Sequence, residues 1–171
     1  PRIVHHPKRI DKITYSELRE LSYMGANVLH EDAIFPVKEK NIPINILNTN
    51  HPEASGTIIV DTDDDPSSNK QIITGIAGKK DFSVIAIYKN HMSNEIGIIR
   101  RALEVFEKYQ ISIEHIPSGI DSFSVVVNSS DIQNNKYDIV SDIKKACGCD
   151  TVKIIDNIAL IATVGRHMSY R

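Results

Sequence analysis

An α/β chain whose second half is a βαββαβ unit is the fold class the sequence predicts, and three observations carry it. Apolar residues recur at helical spacing in two separate stretches, 98–106 and 139–147. Short runs rich in β-branched residues flank them, among them FSVIAIY at 82–88 and FSVVV at 123–127. The polar stretch DTDDDPSSNK at 61–70 sets this half apart from an earlier patterned one.

The opening PRIVHHPKRI is polar and charged, so it reads as an extended or loop segment and not as a leader. Thr14-Tyr15-Ser16-Glu17 matches a capping box, in which each end's side chain satisfies the other's free N–H. Leu18 and Leu21 follow at helical spacing, and Met24-Gly25 is the expected stop. A second short helix is expected over 32–40, with Ile34 and Val37 on one face, broken by Asn41-Ile42-Pro43. Strands are expected at 44–47 and 56–60. In the second half, strands are expected at 72–76 and 82–88. A helix over 97–109 turns Ile98, Ile99, Ala102, Leu103, Val105 and Phe106 inward and Arg100, Arg101, Glu104, Glu107 and Lys108 outward. Strands at 113–116 and 123–127 come next, then a helix over 137–147 marked by Ile139, Ile143 and Cys147 and ended by Gly148. Strands at 152–155 and 159–164 close the chain. From residue 82 this order packs two helices on one face of an antiparallel sheet, the ferredoxin-like arrangement. The strands at 72–76 and 159–164 fall outside that unit and read as parts of a neighbour.

Composition narrows the function. The 171 residues hold 20 Lys+Arg against 22 Asp+Glu, a formal net charge of -2, so no basic field invites nucleic acid. No apolar run approaches the roughly 20 residues of a membrane span. Cys147 and Cys149 are the two cysteines, too few for a zinc site and too close for an unstrained disulfide, and they read as reduced thiols in a cytoplasmic protein. The cluster Asp61, Asp63, Asp64 and Asp65 lacks the Gly and distal Glu of a calcium loop, and His5-His6 is read as solvated. Gly75 to Lys79 is too short for a phosphate-cradling loop. Residue pattern alone therefore supports no catalysis by this chain.

One feature rises above that background. The helix beginning at Gly97 follows the loop KNHMSNE, and a helix N-terminus offers free N–H groups to a carboxylate. In a βαββαβ unit that loop lies near the Ser118-Gly119 turn, where glycine admits a ligand close to the backbone, and Glu114 and Asp121 would serve an ammonium group. Together these make an amino-acid site. The plainer alternative is a glycine easing a turn, a simple hairpin and solvated acids, and on pattern alone it stands first.

Three stretches carry a resemblance: PRIVHHPKRIDKITYSELRELSYMGANVLH, NIPINILNTNHPEASGTII and IGIIRRALEVFEKYQISIEHIPSGIDSFSVVV. In that order they resemble the aspartate kinase family along nearly the whole chain. The resemblance implies that residues 1–65 are the C-terminal end of an amino-acid-kinase-type α/β domain. Residues 66–80 would be a linker and the first strand of a second ACT unit, 81–156 the first ACT unit, and 157–171 the start of a truncated second unit. The family enzyme, a phosphotransferase with a carboxyl acceptor, uses ATP with magnesium to phosphorylate the side chain of aspartate. The fragment by itself is expected to be inactive.

Carried over residue by residue, the family's ATP contacts fall on Arg2, Asn27 and Val28. Asn27 stands where the family has a lysine, and Glu31 replaces a proline. The effector site of lysine-sensitive members falls on Met92, Glu95, Gly97, Ile98 and Ile99, on Ser112, Ile113 and Glu114, and on Ser118, Gly119 and Ile120. Glu114 stands where an Asp recognises the lysine ammonium. With the resemblance, the amino-acid site overtakes the simple hairpin. The implied partners are lysine, alternatively threonine, and a second copy joined through the ACT sheets. The alternative is an ACT unit used only for subunit pairing, without ligand.

Overall fold

The computed structural model describes residues 8–26, 29, 31–62 and 72–166. Contacts divide the chain into two units, Pro1–Lys79 with Ile161–Arg171, and Lys80–Leu160.

The first unit is built on a three-stranded sheet. Strand β1 (Lys12–Thr14) pairs in parallel with β3 (Thr57–Val60), and β2 (Ile44–Ile46) joins β3 antiparallel, giving the order β1-β3-β2. Helix α1 (Tyr15–Tyr23) starts on the expected box: Thr14 accepts from the Glu17 N–H, and the Glu17 carboxylate accepts from the Thr14 N–H at 2.8 Å. Its inward residues Tyr15, Leu18 and Leu21 pack with Ile13, Ile34 of helix α2 (Glu31–Lys38) and Ile59. Strand β1 lies in the stretch that reads as extended or loop; only Ile13 of its three residues is buried, so no alternation marks it as a strand.

The stretch 73–165, which includes the second unit, has the expected βαββαβ order. Strand β4 (Ile73–Tyr88) leads to helix α3 (Ile98–Lys108), then to β5 (Ile113–His115) and β6 (Ser122–Asn128). A one-turn helix α4 (Ser129–Ile132), helix α5 (Lys136–Cys147) and β7 (Thr151–Gly165) follow. The sheet order is β5-β6-β4-β7, so β5 is an edge strand. On β4 and β6 the alternating residues Ile85, Ile87, Phe123, Val125 and Val127 face one core with Ala102, Val105 and Phe106 of α3 and Ile139 and Ile143 of α5. Each such side chain, fully buried, contributes about 1.5–3 kcal/mol.

The structure corrects the expectation of four separate strands at 72–76, 82–88, 152–155 and 159–164. Each pair is one continuous strand, of 16 residues in β4 and 15 in β7. Polar residues that read as breaks are taken up as kinks: Asp81 (φ 71) and Asn157 (φ 59) adopt left-handed backbone within the strands. Asp and Asn tolerate that region better than other L-residues. Helix α4 was also unforeseen; Asn128 caps it through the Ser130 N–H. Among the described residues no helix is long and apolar enough to cross a membrane.

Candidate functional site

Strand β4 ends at Tyr88, and the chain turns through His91 (φ 59) into a single 3-10 turn, Met92–Asn94. Glu95 and the exposed Ile96 lead to Gly97, whose φ of 80 makes it a left-handed N-cap for α3. No side chain caps this helix start, so its first-turn N–H groups point toward the open end. Added at Gly97, a Cβ would meet nothing closer than 3.9 Å, so the demand for glycine there is conformational and not steric. Gly97→Ala is expected to cost about 1 kcal/mol, the penalty of left-handed backbone for an L-residue, read as a lowered urea midpoint.

The turn between β5 and β6 supplies the other wall. Ser118 bridges to Phe123, the Gly119 N–H donates to the Ser122 carbonyl at 2.7 Å, and the Ser124 N–H donates to the Pro117 carbonyl at 2.9 Å. Between the two walls lies a cleft of about 280 Å³. Met92, Glu95, Gly97, Ile98, Ile99, Ser118 and Gly119 line it, all of them candidate effector residues, drawn from two separate stretches of the chain. Ser93 and Arg100 also line it and were missed. Ser93 had no signal in the pattern, and Arg100 was assigned outward from its place on the helix.

The other candidates lie elsewhere. Ser112 and Ile113 border a different, open groove of about 800 Å³ along α3, beside Leu103, Phe106 and Gln110. Glu114, partly buried on β5, and Ile120, 75% exposed, line neither space. Asp121 meets the loop through its backbone, its carbonyl accepting from the Lys89 N–H at 3.0 Å. Arg2, Asn27 and Val28, the expected ATP contacts, lie outside the described residues.

The acid in the cleft wall is already paired. The Glu95 carboxylate pairs with Lys89 at 2.5 Å and with Arg101. The Lys89 hydrogen bond is the main reason its carboxyl lies below the ordinary carboxylate range, and Arg101 adds to it. Behind this wall, burial pushes the Cys147 thiol up and, with the neighbouring Cys147, pushes Cys149 up to about 12. Both thiols are protonated at neutral pH. Among the described residues no group of three or more His, Cys, Asp or Glu is arranged to hold a metal ion.

Comparison with known proteins places this architecture. Residues 1–48 match the Amino acid kinase family. Aspartokinase 3 of Bacillus subtilis is 36% identical over 171 residues, spanning 99% of this chain and 37% of that protein. The Lysine-sensitive aspartokinase 3 of Escherichia coli is 21% identical, over 99% of this chain and 37% of its own. The crystal structure of Clostridium acetobutylicum aspartate kinase superposes with a TM-score of 0.88 at 53% identity, covering 96% of this chain and 38% of that one. This chain therefore spans little more than a third of the relatives it matches. Matched over almost all of its own length in sequence and in fold, it belongs to the aspartokinase family.

Proposed function

We propose that this chain is the amino-acid-binding regulatory portion of an aspartate kinase, and that the cleft at the start of α3 receives the effector. The supporting observation is the convergence of 92–99 with Ser118-Gly119, two stretches that the family resemblance assigns to one lysine site. In this reading the complete enzyme is a cytoplasmic phosphotransferase. It transfers the ATP γ-phosphate, with magnesium, to the side-chain carboxylate of aspartate, at the start of lysine, threonine and methionine biosynthesis. Residues 1–65 close its kinase domain, 66–80 link to a second ACT unit, 81–156 form the first ACT unit and 157–171 begin the second. Feedback works as a two-state shift, with coupling of about 1–3 kcal/mol between effector and catalytic sites.

Lysine is the proposed effector. The relative from Escherichia coli carries lysine sensitivity in its name, and Glu114, outside the cleft lining, retains the acid that the family resemblance sets against the lysine ammonium. Calorimetric titration of the chain with L-lysine, then L-threonine, tests this directly. Saturable heat with lysine is the expected result; no heat with either amino acid overturns the site. Glu114→Ala is expected to weaken lysine binding about tenfold with the circular dichroism spectrum intact. Unchanged affinity would remove β5 from the site and leave the cleft.

A second reading, subunit pairing without ligand, is favoured by one observation. Strand β5 is a short sheet edge with Ile113 beside an open groove, and unpaired edges invite a second copy. The proposed homodimer joins there. Dimers in sedimentation that bind no amino acid would favour this reading over the first.

A further inference from the structure

We infer that Glu95 is a positioning residue, which shapes the effector cleft through Lys89 and Arg101 and does not itself take the effector's charge. The inference rests on the effector reading of the cleft. Both oxygens of the Glu95 carboxylate are occupied by resident cations, Oε1 by Arg101 Nη2 and Oε2 by Lys89 Nζ at 2.5 Å. An incoming ammonium would have to share an oxygen that a resident cation already holds.

Those cations are themselves anchored away from the cleft. Arg101 donates from Nε to the Ala146 carbonyl at 3.1 Å and from Nη1 to the Ile96 carbonyl at 3.3 Å. Lys89 donates to the Cys147 carbonyl at 2.6 Å. Ala146 and Cys147 end α5, where the last carbonyls lack intrahelical partners and the helix dipole favours cations. The guanidinium fork reaches three acceptors at once from one rigid group, which lysine cannot copy. Alongside, the Asn90 N–H donates to Asp150 Oδ2 at 2.7 Å, and the Asp150 N–H donates to the Tyr88 carbonyl at 3.0 Å. The loop carrying Met92, Ser93 and Glu95 is thus pinned to the end of α5 and the start of β7. The same Arg101 side chain bridges back over Gly97 and fixes the bend from which α3 departs. Neither Lys89 nor Arg101 lines the cleft, whereas Glu95 does. The wall's place is set from outside it.

A double-mutant cycle on the 171-residue chain tests this, with Glu95→Gln, Arg101→Gln and the pair, each titrated with L-lysine and with L-threonine. Each single variant is expected to weaken binding about tenfold, the pair no further than either, with the lysine-to-threonine preference unchanged. Coupled residues behave that way, and independent ones add. Additive losses, or a changed preference in Glu95→Gln alone, would show direct contact and overturn the positioning role. Lys89→Met replaces Arg101→Gln in the cycle should that variant fail to fold. Wild-type chain that binds neither amino acid overturns the effector reading and this inference with it; binding with an additive cycle overturns the inference alone.

Discussion

Replacing Arg166 by methionine should lower the stability of the first unit by about 3 kcal/mol, the low end of what breaking a buried ion pair costs. Arg166 donates to Glu17 from Nε at 2.9 Å and from Nη2 at 3.3 Å. The side chains are only 13% and 8% exposed. Glu17 also accepts from Thr74 Oγ1 at 2.5 Å, and from the N–H and hydroxyl of Thr14, both at 2.8 Å. The variant leaves that carboxylate buried without its counter-charge, and the remaining donors keep the cost from rising further. The pH dependence gives the sign. Burial alone would raise the Glu17 pKa, but the bonds from Arg166, Thr74 and Thr14 outweigh it and leave it lowered. Its stabilisation is therefore whole above the unfolded carboxylate value of about 4.3 and is lost as pH falls through the lower folded value. In Arg166→Met burial dominates, the pKa rises, and protonation relieves the variant as pH falls. The gap in urea midpoint between wild type and variant should narrow from pH 7 to pH 3, with hydrogen exchange of the α1 amides reporting the same loss. A gap independent of pH would show that Arg166 acts by packing alone.

That network also marks a limit of reading by pattern. The capping box was legible because both partners lie within four residues. Thr74 and Arg166 reach Glu17 from 57 and 149 positions away, and nothing in local spacing announces them. The same holds for the strands. Helices α3 and α5 were legible in full, because their apolar faces repeat with the helical period and glycine sits at Gly97 and Gly148. Strands β4 and β7 were cut in two because Asp81 and Asn157 are turn residues by type. Each strand runs on through that residue in left-handed backbone instead, which local propensity does not foresee. In the candidate site, the helix start at Gly97 and the Ser118-Gly119 turn were legible from residue pattern, and the family resemblance added Met92, Glu95, Ile98 and Ile99. The ion network behind Glu95 was not, since Lys89, Arg101 and the end of α5 meet only in the folded unit.

Gly119→Val is expected to remove lysine binding by at least 30-fold, about 2 kcal/mol, while leaving the fold within about 0.5 kcal/mol. The contrast with Gly97 makes this a test of the site and not of the turn. A Cβ on Gly119 would rest 3.5 Å from the Ser122 carbonyl oxygen and hydroxyl, ordinary van der Waals contact, and Gly119 is not among the residues with left-handed backbone. The position accepts a side chain. What glycine keeps there is room, because Gly119 and Ser118 form one wall of a cleft of only about 280 Å³ facing Met92 and Glu95. The two γ-methyls of valine would take up part of that space and shield the Ser118 hydroxyl from a bound amino acid. At Gly97 the situation is reversed: the space is open and the backbone is demanding, so alanine should weaken the fold before it narrows the cleft. Calorimetry and urea midpoints on both variants therefore separate loss of room from loss of structure. Full lysine affinity in a folded Gly119→Val chain would mean that the effector does not use this wall. The edge at β5, with its open groove and no ligand, would then become the better account of what the unit is for.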